Sequence, residues 1–349
     1  MSLLSIFFVF IAILYSDLFI IKTEAGAVGL NYGMLGNNLP TPNDVVLLLK
    51  SKNITKTRLF NPNIEALQAL QNSGIEVILG TLNQDLQQLS TSISFSSNWV
   101  QTNVISFAKT LKIRAISAGN EVIPSDMQNY VLPAMQNLKS ALDQALAAGL
   151  IPGRIPVTTA VATSVLGVSY PPSNGKFSNT TLPVMGPIVN FLATTQTPLL
   201  VNVYPYFAYV NNPVNISLSY ALFTSNSIVA RDGVLEYKTL FGAMVDAVYS
   251  ALERCDGGGG SVEIVVSESG WPSGGDSGDV YATIANAQTY NNNLISHVSN
   301  GNGTPKRPGK SVETYVFAIF NENLKPQGTE QNFGLFYPNK MEVYPVNFM

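Results

Sequence analysis

Eight short apolar segments recur along this chain, and each is followed by a stretch with helical periodicity or by a turn. Because strands covered on both faces lose polar/apolar alternation, such segments are typical of a buried parallel sheet. They occupy residues 27–33, 54–60, 76–82, 113–121, 155–163, 199–205, 262–268 and 313–322. Strand–helix units of about 25 to 50 residues predict an α/β fold, a single (β/α)8 TIM barrel. An open doubly wound sheet is the alternative, but no Gly-x-Gly-x-x-Gly follows the first segment.

Residues 1–27 have the pattern of a signal peptide. Residues 3–14 form an apolar core of suitable length, and Ala25-Gly26-Ala27 has the small-x-small pattern of a cleavage site. No Lys or Arg precedes the core, and a second apolar patch follows Asp17, so a retained membrane anchor is the alternative. We expect residues 1–27 to be removed and residues 28–349 to form one secreted domain.

Composition restricts the chemistry that this chain can perform. Hydrophobic residues make up 46% and charged residues 12%, which fits a large covered core and excludes disorder. A net charge of −3 without a Lys/Arg block argues against a nucleic-acid partner. The single cysteine, Cys255, cannot form an internal disulfide, and the single histidine, His297, is interpreted as a surface residue. These counts disfavour a histidine-dependent triad and a Cys/His zinc site, so we expect neither a metal nor a cofactor.

Polar and aromatic residues stand where the apolar segments end. The active site of a (β/α)8 barrel lies at the carboxyl ends of its strands. The residues at these ends are Tyr32, Asn120, Glu121, Asn202, Tyr204, Glu268, Asn321 and Glu322. An ionised carboxylate at the end of a buried strand is costly unless it is paired, hydrogen-bonded or used.

Glu121 ends the fourth segment and Glu268 the seventh, so the two are expected to face each other across the barrel mouth. Two carboxylates in one pocket without a histidine suit acid/base and nucleophilic chemistry at an acetal carbon. If one attacks and the other protonates, their separation should be about 5–5.5 Å. Two independent salt bridges on the rim are the alternative.

The segment Ser267-Glu-Ser-Gly-Trp-Pro-Ser-Gly274 resembles the signature of glycoside hydrolase family 17, the plant β-1,3-glucanases. The resemblance continues, in order, through residues 32–40, 118–122, 201–207, 320–326 and 332–338. It therefore covers essentially the whole mature chain. It implies a barrel enzyme that hydrolyses internal β-1,3-glucosidic bonds by double displacement with retention.

The resemblance also implies a role for each matching residue. Glu121 would be the general acid/base and Glu268 the nucleophile, so Glu121 should have the higher pKa and Glu268 should be ionised and held by donors. Asn120 suits a hydrogen bond to the sugar 2-OH, or else caps the strand end. The implied substrate-binding residues are Tyr32, Asn120, Asn202, Tyr204, Phe207, Glu322, Lys325, Glu330 and Phe333.

For some of these residues a purely structural role is the alternative. Phe207 and Phe333 could belong to the core, and Glu322, Lys325 and Glu330 could form a salt-bridge cluster on the last loop. Trp271 is interpreted as a packing residue that supports Glu268. Ring faces that stack on the C–H surfaces of a pyranose, beside carboxylates and amides, would fit a sugar groove.

The expected substrate is a β-1,3-glucan such as callose, fungal-wall glucan or laminarin. A β-1,3-1,4-glucanase and a non-catalytic glucan-binding wall protein are the alternatives. The mature chain is expected to be a monomer in the extracellular or cell-wall space, without a membrane partner. The chain ends at Met349 without a pattern for a binding module, vacuolar tail or lipid anchor. Four sequons, at Asn53, Asn179, Asn215 and Asn302, are possible glycan sites.

Overall fold

The computed structural model describes residues 28–348, so the predicted signal peptide lies outside the described residues. Eight parallel strands close into a barrel: β1 Gly29–Tyr32, β2 Lys56–Leu59, β3 Glu76–Gly80, β4 Lys112–Asn120, β5 Val157–Ala162, β6 Leu199–Asn202, β7 Ile264–Ser269 and β8 Thr314–Val316. The barrel closes where Gly29 of β1 registers with Tyr315 of β8. The predicted (β/α)8 barrel is confirmed.

Helices surround the barrel, and the sequence marks where most of the longer ones begin. Within residues 28–348 they are α1 Pro42–Ser51, α2 Ile64–Leu70, α3 Leu86–Thr91, α4 Ile93–Asn103, α5 Gln128–Ala147, α6 Leu182–Thr195, α7 Pro205–Asn211, α8 Leu218–Ala221, α9 Leu240–Glu253 and α10 Ile284–Ser299. Thr41, Asn63, Ser92, Thr239 and Thr283 are N-caps whose side chains accept a backbone N–H of the first turn. Each such cap stabilises its helix by about 1 kcal/mol.

The strands pack on both faces, which explains their apolar runs. One face of the sheet packs on the helices, and the other fills the barrel with a separate buried cluster: Ile78, Ala115, Ala160, Leu200, Val265 and Tyr315. In β2 the residue in register with Ile78 is Arg58. Since neighbours in register point to the same face of a sheet, Arg58 projects into the barrel. A buried cation inside the barrel requires partners, and these lie at the carboxyl end.

The eighth strand is shorter than the sequence pattern predicts. The prediction extended it to Glu322, whereas β8 ends at Val316. Beyond it the backbone bonds to other segments: Ala318 N–H donates to the Phe333 carbonyl and Ile319 N–H to the Asn31 carbonyl, each at 3.0 Å. Glu322 therefore reaches the barrel mouth from a loop and not from a strand end.

Two further differences concern segments around the barrel. The helix α7 starts at Pro205, where the sixth apolar segment was predicted to end. Two short hairpins, residues 166–168 with 176–177 and residues 230–232 with 235–237, were not predicted.

His297 is not a surface residue, contrary to its interpretation from sequence. It is partly buried on α10 against Phe223 and Phe241, with ring centroids 5.5 and 6.1 Å away. Burial lowers its pKa. The asparagines of all four sequons are exposed. Among residues 28–348, no helix has both the length and the apolar character needed to span a bilayer.

Candidate active site

A cleft of about 1030 Å³ lies at the carboxyl end of the barrel. All eleven predicted site residues line it: Tyr32, Asn120, Glu121, Asn202, Tyr204, Phe207, Glu268, Glu322, Lys325, Glu330 and Phe333. Asn321, which the sequence also placed at a strand end, is not among the lining residues; its Oδ1 accepts the Gly334 N–H instead. The strand ends and following loops of all eight strands contribute to this cleft.

Glu268 lies near the end of β7 and is only 6% exposed. Its Oε1 accepts hydrogen bonds from Arg58 Nη1 at 2.9 Å and from Asn202 Nδ2 at 2.8 Å. Its Oε2 accepts the Tyr204 hydroxyl at 2.8 Å. Three donors therefore hold the carboxylate in one orientation, as expected for a positioned anion.

Glu121 follows the end of β4 and is exposed to the cleft. Its Oε1 accepts a hydrogen bond from Asn202 Nδ2 at 2.8 Å, the same nitrogen that donates to Glu268. The two Oε1 atoms thus lie no further apart than twice 2.8 Å. The structure brings the two distant carboxylates into one pocket, and this upper bound lies below the separation of about 6.5–9.5 Å that inverting glycosidases use.

Two opposing effects act on the proton affinity of Glu268. On balance the pKa of Glu268 is raised, against the expectation of a low pKa for the nucleophile: burial is the largest cause, and the neighbouring Glu121 carboxylate adds to the rise. The Arg58 charge opposes this most strongly, followed by the hydrogen bond from Tyr204 and the charge of Lys325. Burial and Glu268 together raise the pKa of Tyr204, so this phenol remains a donor.

Arg58 is the functional residue that the sequence reasoning missed. It is 1% exposed, and besides Glu268 it donates through Nη2 to Asn120 Oδ1 at 2.8 Å. Its guanidinium also lies over the Phe60 ring, 4.7 Å from the centroid. The available signal was a lone arginine inside a buried strand segment, which is costly unless a carboxylate pairs with it.

Replacing Arg58 by methionine is expected to shift the pH dependence of catalysis. If Glu268 is the nucleophile that the sequence predicts, it must be ionised to attack, and activity is then lost as pH falls through its pKa. Because Arg58 lowers that pKa, its removal should move the acid limb of kcat/KM to higher pH by about one unit or more. The measurement is a pH profile of kcat/KM beside Arg231→Met, an exposed arginine paired with Glu236. An acid limb that stays in place would contradict the role of Arg58.

The third predicted group, Glu322, Lys325 and Glu330, also meets at the cleft. Glu322 is 3% exposed; its Oε1 accepts the Leu35 N–H at 2.7 Å, and its Oε2 lies 3.4 Å from Lys325 Nζ. Lys325 Nζ lies 4.0 Å from Glu330 Oε2 and 4.1 Å from the Phe317 ring centroid. The group is an ion-pair cluster that also lines the cleft, so the structural alternative and the binding role are compatible.

Gly33 makes room for Glu322, because a Cβ at this position would lie 2.3 Å from Glu322 Oε2. Gly33→Ala is expected to displace that carboxylate and lower the free energy of unfolding by about 1–3 kcal/mol. The matched control is Gly186→Ala in α6, where nothing lies within 4 Å of an added Cβ; there we expect a gain of about 0.4–1 kcal/mol. Urea unfolding measures both, and equal effects would contradict the crowding at Gly33.

Aromatic rings form one wall of the cleft. Tyr204 contacts Phe207 and Phe333 edge-to-face, with centroids 5.5 and 5.7 Å apart. Phe207 is 39% exposed, whereas Phe333 is 3% exposed and belongs mainly to the core. Trp271 is fully buried against Tyr206, as expected of a packing residue.

Carboxylates dominate the chemistry that this site can perform. Among residues 28–348, no group of three or more His, Cys, Asp or Glu side chains could hold a metal ion. One carboxylate is buried and fixed by donors, and the other is exposed to the cleft a short distance away. Such a pair can attack and protonate the two sides of one acetal bond.

Comparisons with known proteins agree with an enzyme that cleaves acetal bonds with two carboxylates. The model of "Glycosyl hydrolases family 17" matches residues 28–348. A Hordeum vulgare protein with the name "Putative glucan endo-1,3-beta-glucosidase GVI" is 55% identical over 322 residues, 92% of this chain and 97% of the relative. The basic vacuolar isoform GLB of glucan endo-1,3-beta-glucosidase from Nicotiana tabacum is 48% identical over 93% of this chain and 85% of its own.

A solved structure shows the same relationship in three dimensions. It comes from work on two plant β-glucan endohydrolases with distinct substrate specificities, and it is 46% identical to this chain. The similarity covers 92% of this chain and all of the solved one, with a TM-score of 0.85. The barrel and its carboxylates therefore belong to a glycoside hydrolase. The chain belongs to glycosyl hydrolases family 17.

Proposed function

We propose that this protein is an endo-hydrolase of internal β-1,3-glucosidic bonds that acts with retention of configuration. The observation that carries the proposal is the Asn202 amide, whose Nδ2 donates to both Glu121 and Glu268 at 2.8 Å. Two carboxylates so close can reach one anomeric centre. Relatives of 48–55% identity that are named glucan endo-1,3-beta-glucosidases support the linkage.

In the first step, Glu268 attacks the anomeric carbon and forms a bond through one carboxylate oxygen. The glycosidic C–O bond breaks, and Glu121 gives its proton to the departing sugar oxygen. Arg58, Asn202 and Tyr204 hold Glu268 in place, so little reorganisation is required at the moment of attack.

In the second step, Glu121 takes a proton from water while the water oxygen attacks the same carbon. The ester bond to Glu268 breaks, and both carboxyl groups return to their starting states. Arg58 donates to Asn120 Oδ1, so the Asn120 amide nitrogen can donate a hydrogen bond to the sugar 2-OH. Each step inverts the carbon, so the product keeps the β configuration.

The size of the cleft supports cleavage inside a chain. The strand ends or following loops of β1 to β8 all contribute lining residues, among them Leu35 after β1 and Asn211 at the end of α7. Phe207, which is 39% exposed, also lines the cleft, as do Asn61 and Asn63. A cleft of this volume accommodates several sugar rings, which an endo-hydrolase requires.

The decisive experiment measures reducing ends released from laminarin and the size distribution of the products. We expect oligosaccharides of intermediate length early in the reaction, and a much lower rate on mixed-linkage β-1,3-1,4-glucan. A faster rate on the mixed-linkage glucan would favour the alternative specificity. Binding to laminarin without turnover would favour a non-catalytic wall protein.

Secretion is part of the proposal and rests on the signal-peptide pattern of residues 1–27. The similar Nicotiana tabacum protein is named a vacuolar isoform, so the destination requires its own test. Expression of the full chain in plant cells, with N-terminal sequencing of the mature protein, should give a start near residue 28 in the extracellular fraction. Size-exclusion chromatography of that protein is expected to give a monomer.

A further inference from the structure

The backbone that carries Glu121 has an unusual conformation. Gly119 has a φ of +76°, and Glu121, which has a side chain, has a φ of +54°. A left-handed conformation at a non-glycine residue costs about 1–3 kcal/mol and persists only when its surroundings enforce it. The register of β4 with β5 also shifts between Ser117 and Asn120. The turn 119–121 is thus an irregularity at the end of β4: pairing with β5 is interrupted after Ser117 and resumes at Asn120, which registers with Ala160 just before the proposed acid/base.

Side chains from the β3–α3 loop replace the missing ladder. On that side, register pairing between β3 and β4 ends at Gly80 and Ser117. Beyond it, Gly119 N–H donates to Thr81 Oγ1 at 3.0 Å. Asn120 N–H donates to Asn83 Oδ1 at 2.9 Å, and Asn83 Nδ2 donates to the Asn120 carbonyl at 2.9 Å. The Asn83 side-chain amide therefore hydrogen-bonds both the N–H and the carbonyl of Asn120, as the backbone of a neighbouring strand would.

We infer that Asn83 is a positioning residue for the reaction, acting through the backbone of Asn120 on Glu121. Both hydrogen-bonding ends of its amide are engaged by the one residue that precedes Glu121. On the other side of the turn, Glu121 N–H is held by the Ala160 carbonyl at 2.9 Å. Asn83 fixes the peptide that precedes Glu121 and so sets the direction of the Glu121 side chain. The Glu121 carboxyl group itself accepts a hydrogen bond at one oxygen, from Asn202.

This inference rests on the proposed acid/base role of Glu121 and makes a distinct prediction. A misaligned acid harms only the substrates whose leaving group needs a proton. Displacement of a catalytic group by about 1 Å can cost about 100-fold. Asn83→Ala should therefore slow cleavage of laminarin oligosaccharides while sparing a dinitrophenyl β-laminaribioside, whose phenolate leaves without protonation.

The test measures kcat/KM for both substrates in four proteins: wild type, Asn83→Ala, Glu121→Gln and Gln87→Ala. The value of kcat/KM for the aryl glycoside reports only formation of the glycosyl-enzyme, so the later base step does not interfere. Gln87 is exposed in α3 and outside the cleft lining, which makes it the matched control. We expect Asn83→Ala to lose about 10- to 100-fold on the oligosaccharide and to stay close to wild type on the aryl glycoside.

Three results would overturn the inference. Equal losses on both substrates, or a loss on the oligosaccharide that lies in KM alone, would assign Asn83, which lines the cleft, to general stability or to sugar binding. An unchanged Asn83→Ala beside a substrate-selective Glu121→Gln would remove the role of Asn83 and leave the proposed function intact. Equal losses on both substrates in Glu121→Gln would remove the acid role of Glu121, and the inference would fall with it.

Discussion

Glu268→Ala is expected to lower kcat on laminarin by about 10⁴-fold or more, the range seen when an enzyme loses its nucleophile. Glu268 lies in the buried part of the site and accepts hydrogen bonds from Arg58, Asn202 and Tyr204. Glu121, the other carboxylate of the pair, does not share all three donors. Without Glu268, no group can form the covalent intermediate. Reducing-end release from laminarin measures the loss, and circular dichroism confirms that the variant is folded.

A matched control and a rescue sharpen this result. Glu236→Ala removes an exposed glutamate paired with Arg231, and a surface pair of this kind contributes at most about 1 kcal/mol. Its activity should equal that of the wild type. Azide at high concentration should enter the space left by the Glu268 carboxylate and attack an activated aryl glycoside from that face, which gives an α-glycosyl azide. Glu268→Ala with near wild-type turnover would remove the nucleophile assignment.

The second large effect is expected for Glu121→Ala. Loss of a general acid/base lowers the rate by about 10²- to 10⁴-fold, and the loss should apply to both chemical steps on laminarin. Since Glu121 is exposed, the free energy of unfolding should change little.

Azide distinguishes this variant from the first one. In Glu121→Ala the covalent intermediate on Glu268 can still form from a dinitrophenyl glycoside, and azide then attacks from the vacated Glu121 side. Two inversions give a β-glycosyl azide, the opposite anomer from that of Glu268→Ala. The same anomer from both variants would show that the two carboxylates do not occupy opposite faces of the sugar.

The sequence predicted the barrel and its mouth because both follow from local patterns. Apolar runs mark the buried strands, and Glu121 and Glu268 each stand beside the end of such a run. The parallel topology then brings strand ends together at one edge, although these two residues are far apart in sequence. The placement of Glu121 and Glu268 at the carboxyl ends of β4 and β7 was therefore predictable without any knowledge of side-chain contacts.

Other parts of the site depend on tertiary contacts that no local pattern encodes. Arg58 lies within an ordinary strand segment, and its role appears only when the barrel register places it beside Glu268. Glu322 was predicted at a strand end, but it arrives by a loop because residues 318–319 bond to β1 and to residue 333. The interpretation of His297 failed for the same reason, since Phe223, which helps to cover it, comes from a distant loop.

The configuration of the first product tests the central claim most directly. Proton NMR of a laminarioligosaccharide digest, recorded before mutarotation, identifies the anomer of each newly released reducing end. If Glu268 attacks and Glu121 assists on the two faces of one anomeric carbon, the β anomer should appear first and the α anomer only later. Initial release of the α anomer would show a single inverting displacement by water and would contradict the account.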